Sequence, residues 1–152
     1  MDIYNSPIGQ MAIETTSNRL KAIDFSINLD KKIIETKTSY IVKKQLDEYF
    51  AGKRHEFTIE LELSGTAYQK IVWQNVMTVK YGETMSYKEI AILSNSPKSA
   101  RAVGMANNKN KIPIIIPCHR IIGSNGDLVG YGGGIDKKVF LLDLESKFLE
   151  GF

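Results

Sequence analysis

Apolar and polar positions alternate in several short stretches near the start of the chain, and this alternation predicts β-strands. The clearest stretches are 11–14, 20–25 and 57–63. Between the last two, residues 38–50 carry apolar side chains at helical spacing and precede Gly52, a residue type that commonly ends helices. This part of the chain is expected to form a small mixed lobe, in which no pattern points to chemistry.

Three helices are predicted in the second part of the chain. The first spans 67–79, the second spans 86–93 and opens with a capping box, and the third spans 96–108 and opens with a serine followed by proline. Two short helices joined by a tight turn are typical of a helix-turn-helix motif. The same pattern is equally typical of two helices that pack together and bind no DNA.

Residue types separate on the two faces of the third predicted helix. Four side chains recur at three- and four-residue spacing on its outer face: Lys98, Arg101, Met105 and Asn108. Small residues flank the arginine, namely Ala100, Ala102 and Gly104. Glycine inside a helix costs up to about 1 kcal/mol, so this one calls for a reason. Small residues around one long cation let a partner approach the helix closely, and a solvated face is the alternative.

A short apolar run, 112–117, predicts a buried strand that ends at a proline and leads directly into Cys118, His119 and Arg120. A buried cysteine is most often an inert small apolar residue, but a neighbouring base can activate it as a nucleophile. Successive strand residues point to opposite faces. A contact between Cys118 and His119 therefore requires a turn or a bridging water.

The last predicted helix, about 136–149, carries a carboxylate inside an apolar stripe. The stripe consists of Leu141, Leu142, Phe148 and Leu149, with Glu145 among them. An unpaired carboxylate in such a place costs several kcal/mol. Glu145 is therefore expected to pair with His119 and to orient its ring.

Glycine is concentrated in a segment before this helix, at 123–126 and 130–134. This composition indicates a mobile loop or a close approach of the backbone to a ligand, with a plain surface loop as the alternative. The spacing matches no phosphate-binding or dinucleotide-binding fingerprint.

Composition and charge restrict the class of protein. The chain has 152 residues and a net charge of +3, with −1 on residues 1–66 and +4 on residues 67–152. A basic second half is compatible with a polyanionic partner. No apolar run approaches the roughly 18 residues of a membrane span, and the start of the chain lacks a signal-like pattern, so a cytoplasmic protein without a membrane partner is expected.

Cysteine and histidine are scarce. One cysteine excludes an intramolecular disulfide, and with two histidines it cannot complete a cysteine-rich zinc site. A monomer that needs neither metal nor cofactor is expected.

Several of these segments together resemble the O6-alkylguanine-DNA alkyltransferase family. The resemblance rests on Pro-Cys-His-Arg at 117–120, Arg-Ala-Val-Gly at 101–104 and Gly-Tyr-Gly-Gly-Gly at 130–134. It continues, in register, from Ser-Pro-Ile-Gly at 6–9 to Glu145. Each piece alone is a weak signal, whereas the whole set in this order is very specific.

The resemblance implies an α+β fold with two lobes. Residues 1–64 would form a ribonuclease-H-like lobe, and residues 65–152 would form a winged-helix lobe, with a helix-turn-helix, that carries the active site.

The resemblance also implies catalytic roles. Cys118 would accept the alkyl group, His119 would deprotonate it through a water, and Glu145 would hold His119. Asn110 would brace the active-site turn, and Tyr87 would donate a hydrogen bond or proton to the leaving base.

Further roles concern DNA and the damaged base. Arg101 would enter the duplex from the minor groove and fill the space of the flipped nucleotide. Its helix neighbours would contact DNA as well, namely Lys98, Ala100, Ala102 and Gly104. Pro113 and Ile121 would line the base pocket. Three further residues would lie nearby: Tyr131, Gly132 and Lys138.

The implied activity is direct reversal of damage in double-stranded DNA. Guanine O6 lies inside a stacked duplex, so the nucleotide must be flipped out before its alkyl group can be reached. O6-alkylguanine, and also O4-methylthymine, would transfer the alkyl group to Cys118. A thioether has no hydrolytic exit, so each protein molecule would react once.

Two departures from the family pattern are visible. Gly132 stands where many relatives have serine, so a side-chain contact to the base is lost there. The cysteines and histidines that hold zinc in the N-terminal lobe of some relatives are absent.

Two other functions remain open. A cysteine hydrolase would also use Cys118 and His119, but it would turn over repeatedly. A winged-helix protein that only binds DNA would explain 86–108 but would leave Glu145 and the Cys-His pair without a purpose.

Overall fold

The computed structural model describes residues 1–96 and 99–150. Its N-terminal lobe begins with a three-stranded antiparallel sheet in the order β1 (Asp2–Ser6), β2 (Gly9–Thr16), β3 (Arg19–Asp24). Helix α1 (Lys37–Phe50) starts at a capping box on Thr36 and packs on this sheet. The two predicted strands at 11–14 and 20–25 and the helix predicted at 38–50 are confirmed.

The strand predicted at 57–63 is wrong. This segment runs extended beside β3 but makes only one isolated bridge, between Leu20 and Leu61. Leu20 donates to the Glu60 carbonyl at 2.9 Å and accepts from the Glu62 amide at 2.9 Å. Alternation indicates that one face of a segment is buried. An extended segment can bury that face against the core with a single bridge to the sheet and without a full ladder of hydrogen bonds.

The C-terminal lobe is built from three packed helices, a small parallel sheet and a last helix. The elements are α2 (Ala67–Val76), β4 (Met85–Ser86), α3 (Tyr87–Leu93), α4 (Ala100–Asn108), β5 (Ile121–Ile122) and α5 (Ile135–Lys147). Trp73 in α2 donates its indole N–H to the Ala106 carbonyl in α4 at 2.8 Å, which fixes the helix pair. The predicted capping box at Ser86 is present.

The predicted start of α4 is wrong. The helix begins at Ala100, with Ser99 as the N-cap residue and no side-chain cap. Ser96 is therefore not the N-cap residue, although its carbonyl accepts the Ser99 amide at 2.9 Å. Pro97 and Lys98 lie outside the described residues, and so does the contact with DNA expected for Lys98.

The strand predicted at 112–117 is also wrong. The segment is a tight turn in which the Ile116 amide donates to the Ile112 carbonyl at 3.0 Å and Ile114 adopts a φ of +75°. A β-branched residue in the left-handed region costs on the order of 1–3 kcal/mol. Burial of Ile112, Ile114 and Ile116 in the core offsets this cost and explains why the segment reads as a strand.

The two lobes share one hydrophobic core. At one contact Gly52, with φ +74°, ends α1, and a Cβ there would lie 2.3 Å from the ring of Phe148. Only glycine allows both this backbone conformation and this approach. The predicted stop at Gly52 is confirmed.

No helix in the described part of the chain is long and apolar enough to cross a membrane.

Candidate active site

Cys118 lies in a 3-10 turn that directly follows the buried turn at 112–117. The turn spans Cys118–Arg120, and the Cys118 amide donates to the Ile116 carbonyl at 2.7 Å. The Cys118 side chain is 5% exposed. The sequence indicated that a direct contact between Cys118 and His119 needs a turn or a bridging water. The chain turns here, but no direct hydrogen bond joins the two side chains among the described residues.

Two asparagines hold this turn. Asn110 donates to the Ile116 carbonyl at 2.9 Å and accepts from the Ile112 amide at 2.9 Å, which braces the segment before Cys118. Asn107 donates to the Cys118 carbonyl at 3.2 Å. The contact of Asn107 was not predicted, although an asparagine on the inward face of α4 is a signal that a buried polar group needs a partner.

His119 and Glu145 form a buried pair, as the apolar stripe on the last helix predicts. His119 Nε2 lies 2.6 Å from Glu145 Oε2, and neither side chain is more than 1% exposed. His119 Nδ1 is buried and has no hydrogen-bond partner among the described residues. If Nε2 carries the proton for Glu145, Nδ1 is an acceptor that is ready to take another proton.

Glu145 has more partners than the sequence indicates. Arg120 donates to it twice, from Nε at 2.8 Å and from Nη2 at 2.9 Å, and Nη1 donates to the Val79 carbonyl at 2.7 Å. The Tyr49 hydroxyl in α1 donates to Oε2 at 2.7 Å, and the Gly82 amide donates to Oε1 at 3.3 Å. Arg120 next to His119 was a detectable signal, because a buried cation needs an anion.

These contacts set the charge of the buried pair. Burial alone would raise the pKa of Glu145, but hydrogen bonds from His119 and Arg120 outweigh it and hold the pKa below its ordinary value. Burial lowers the pKa of His119 despite the nearby carboxylate. The resting pair is therefore a neutral imidazole and an ionised Glu145, which Arg120 neutralises.

Cys118 is protonated in the resting protein. Burial raises the pKa of its thiol to about 11, although the hydrogen bond to Asn110 and the charge of Lys138 act in the opposite direction. Burial outweighs the nearby groups, so the thiol must lose its proton during the reaction rather than before it.

Tyr87 and Lys138 meet at one carbonyl of the glycine-rich segment. The Tyr87 hydroxyl donates to the Val129 carbonyl at 2.8 Å, and Lys138 Nζ donates to the same oxygen at 3.0 Å. Lys138 also donates to the Ile121 carbonyl at 2.5 Å and is fully buried. Burial lowers the pKa of Lys138. These contacts anchor the loop beside Cys118.

A cavity of about 430 Å³ opens next to Cys118. Three residues expected at the base pocket line it, namely Pro113, Tyr131 and Gly132. Ile121 and Lys138 are not among its lining residues, because Ile121 pairs with Met85 in the small sheet and Lys138 is bonded to backbone carbonyls. Residues 22–26 of the N-terminal lobe form another part of the lining, although the sequence indicated no chemistry in that lobe.

The outer face of α4 is open. Arg101, Met105 and Asn108 are exposed, whereas Val103 and Ala106 pack inward, as predicted. Three small residues on this helix are half-buried: Ala100, Ala102 and Gly104. A Cβ on the glycine would meet the Tyr87 ring at an ordinary 3.9 Å, so packing within the chain does not require glycine there.

No group of three histidine, cysteine or acidic side chains in 1–96 and 99–150 could hold a metal ion.

The fold and the site define a class: a two-lobed α+β protein whose helix-turn-helix lobe carries a buried cysteine, histidine and glutamate next to a cavity. Two family models match the chain. The 6-O-methylguanine DNA methyltransferase ribonuclease-like domain matches residues 1–63, and the DNA binding domain matches residues 67–147. The chain belongs to the 6-O-methylguanine DNA methyltransferase family, and the two-lobed fold expected from the resemblance is confirmed.

Individual relatives agree. The chain is 46% identical to a methylated-DNA--protein-cysteine methyltransferase of Methanosarcina barkeri, over 97% of this chain and 98% of that protein. A crystal structure of Mycobacterium tuberculosis O6-methylguanine methyltransferase has a TM-score of 0.88 and 41% identity, covering 96% of this chain and 92% of that one. A structure of the M. tuberculosis protein in complex with DNA has a TM-score of 0.86 and 40% identity, covering 97% and 92%.

Proposed function

We propose that this protein repairs O6-alkylguanine in double-stranded DNA by moving the alkyl group to its own Cys118, once per molecule. The observation that carries the proposal is the position of Cys118 at a cavity next to His119, whose Nε2 lies 2.6 Å from Glu145. The names of the relatives and the bound DNA of the M. tuberculosis structure support the same activity.

The proton path begins at the Cys118 thiol. We propose that the proton passes through a water to Nδ1 of His119, which has no other partner among the described residues. The ionised Glu145 stabilises the imidazolium that forms, and Arg120 and Tyr49 keep Glu145 ionised and in place. A neutral His119 and a protonated Cys118 are the starting states that such a transfer needs.

The bond changes balance without a co-reactant. The Cys118 thiolate attacks the alkyl carbon, an S–C bond forms and the O6–C bond breaks. Guanine leaves and recovers a proton, so the thiol proton ends on the base. Tyr87, which now donates to the Val129 carbonyl, would donate to the leaving base instead. O4-methylthymine has the same leaving-group chemistry and is a second proposed substrate.

DNA is proposed to bind along the outer face of α4. Arg101 is exposed among the small side chains of Ala100, Ala102 and Gly104, which allow a duplex to approach closely. Extrusion of a nucleotide costs a few kcal/mol, and an inserted side chain offsets part of that cost. We assign this part to Arg101.

The proposed lobe boundary lies between residues 64 and 65, and the family matches that end at 63 and start at 67 support it. We propose a cytoplasmic monomer that acts without metal or cofactor.

The test is intact mass after incubation with duplex DNA that carries O6-methylguanine. The mass is expected to rise by one methyl-for-hydrogen exchange, and peptide mapping is expected to place the methyl group on Cys118. The Cys118→Ser variant should bind the same DNA without gaining mass. Restored guanine together with unmodified protein would contradict the proposal, and repeated turnover would favour a hydrolase.

A further inference from the structure

One part of the cavity wall next to Cys118 comes from the N-terminal lobe. Residues 22–26, at the end of β3 and just beyond it, line the cavity together with residues of the C-terminal lobe such as Cys118 and Tyr131. The shape of the cavity therefore depends on both lobes. Phe25 is the largest side chain in the N-terminal part of this wall.

Hydrogen bonds on both sides fix the backbone at Phe25. The Ile23 amide donates to the Lys111 carbonyl at 2.9 Å, which ties β3 to the segment that leads to Cys118. The Asp24 side chain accepts from the Ser26 amide at 2.8 Å, which turns the chain at Phe25. The ring thus starts from a fixed position beside the cavity.

The Phe25 ring packs against the glycine-rich loop, whose residues Gly132 and Gly133 also line the cavity. A Cβ at Gly133 would lie 2.9 Å from Phe25 Cε2 and 2.9 Å from Lys137 Cδ. Lys137 Nζ lies 5.3 Å from the centroid of the same ring. The ring and the lysine stem occupy the space that a side chain at position 133 would need, so Phe25 sets how near this loop lies to the N-terminal lobe.

We infer that Phe25 is a specificity-determining residue that limits the size of the alkyl group that can reach Cys118. The inference rests on the proposed function. The cavity of about 430 Å³ must hold both the flipped base and its alkyl group. Truncation of the ring enlarges the cavity and removes the support of the loop at Gly133. A methyl group is small enough to reach Cys118 without a larger cavity, whereas a benzyl group should reach Cys118 more easily once the cavity is larger.

The experiment compares two substrates in duplex DNA, O6-methylguanine and O6-benzylguanine, with the rate of Cys118 alkylation as the readout. In Phe25→Ala the ratio of benzyl to methyl rates is expected to rise on the order of tenfold, the size of effect that a change in a pocket wall produces. The methyl rate is the internal reference, because a general effect of the substitution on the fold or the loop lowers both rates alike. Phe25→Leu, which keeps apolar bulk and protects the fold, should give an intermediate ratio.

The matched control is Phe140→Ala, because Phe140 is an aromatic residue of α5 that is 38% exposed and is not among the residues lining the cavity. Its ratio should equal that of wild type. Equal ratios in wild type, Phe25→Leu and Phe25→Ala would overturn the inference. So would equal losses of both rates, since Phe25 would then act on the fold alone. If wild type accepts no methyl group, the proposed function fails instead, and the two failures are distinguishable.

Discussion

Glu145 is the residue on which most of the site depends. It accepts hydrogen bonds from His119, Arg120 and Tyr49 while almost fully buried. A carboxylate with this many donors stays ionised, and its charge is available to stabilise a proton on His119. The same residue is therefore half of a buried ion pair with Arg120 and the electrostatic partner of His119 in the proposed proton path.

Glu145→Gln is expected to shift the pH–rate profile of alkyl transfer to higher pH. The amide keeps a hydrogen bond to His119 but loses the charge that stabilises its protonated form. A hydrogen bond to a charged group contributes about 1.5–3 kcal/mol and one between neutral groups about 0.5–1.5 kcal/mol, so the lost difference of roughly 1–1.5 kcal/mol corresponds to a shift of about one pH unit. The rate should rise with pH because the pKa of Cys118, at about 11, keeps the resting thiol protonated. Single-turnover rates across pH check this.

The control for this prediction is Arg120→Gln. Both variants break the buried ion pair, which typically destabilises a protein by roughly 3–5 kcal/mol. Arg120→Gln keeps the negative charge of Glu145 next to His119, so the pH–rate profile of this variant should not move to higher pH. Superimposable profiles for wild type and Glu145→Gln, or equal shifts in both variants, would mean that Glu145 acts only on the fold.

At the scale of single elements, α4 carries the proposed contact with DNA. Arg101 stands exposed on it, and its neighbour Gly104 has room for a Cβ within the chain. The absence of a packing reason for that glycine favours a reason outside the chain, namely the approach of a duplex.

Arg101→Ala is expected to slow alkylation by duplex O6-benzylguanine far more than alkylation by the free base. The free base requires no extrusion from a stack, a step that costs a few kcal/mol in the duplex. Lys109→Ala is the matched control, because Lys109 is an exposed cation directly after α4. Parallel measurement of both rates checks the prediction, and equal losses on the two substrates in Arg101→Ala would refute it.

The sequence predicted elements well where periodicity and caps agree, as in α1 and α3. It failed at 112–117, because three buried isoleucines at alternating positions are compatible with a strand, and the unusual φ of Ile114 leaves no mark in the sequence. It failed at the start of α4 because Ser96 has the residue type of a helix cap, whereas the helix begins only at Ala100 with Ser99 as its N-cap residue.

The site was predictable only in part for a similar reason. Glu145 and His119 could be paired because a carboxylate in an apolar stripe needs a partner close by. The contacts of Tyr49 and Phe25 join segments about a hundred residues apart. No local sequence pattern indicates that the N-terminal lobe supplies part of the cavity wall or a hydrogen-bond donor to Glu145. Such long-range contacts follow from the packing of the lobes.

At the scale of the whole molecule, the lobes are joined at the site itself. Tyr49 belongs to α1 of the N-terminal lobe and donates to Glu145 of α5 at 2.7 Å. Burial and the nearby carboxylate hold the pKa of Tyr49 well above its ordinary value, so the hydroxyl remains a donor. The hydrogen bond therefore connects the fold of one lobe to the chemistry of the other.

Tyr49→Phe is expected to lower the free energy of unfolding by about 1.5–3 kcal/mol, the contribution of a hydrogen bond to a charged group. It should also move the pH–rate profile to lower pH, since Glu145 with one donor fewer is a stronger acceptor for His119. Tyr40→Phe, in the same helix but 54% exposed, should leave both properties unchanged. Denaturant unfolding and single-turnover rates test this prediction. An unchanged pH–rate profile in Tyr49→Phe would mean that Tyr49 contributes to stability alone and not to alkyl transfer.

Because Tyr49 and Glu145 belong to different lobes, neither lobe alone holds the complete site. A chain severed after Ser64 leaves Tyr49 and Phe25 on one fragment and Cys118, His119 and Glu145 on the other. Each half then lacks something the other holds: one has no nucleophile, and the other has an incomplete pocket and an under-supported carboxylate. If the two fragments were fused to two proteins that associate, and an O6-alkylguanine substrate were supplied, the reassembled site would transfer the alkyl group to Cys118. The thioether would remain as a permanent covalent mark after the partners separate.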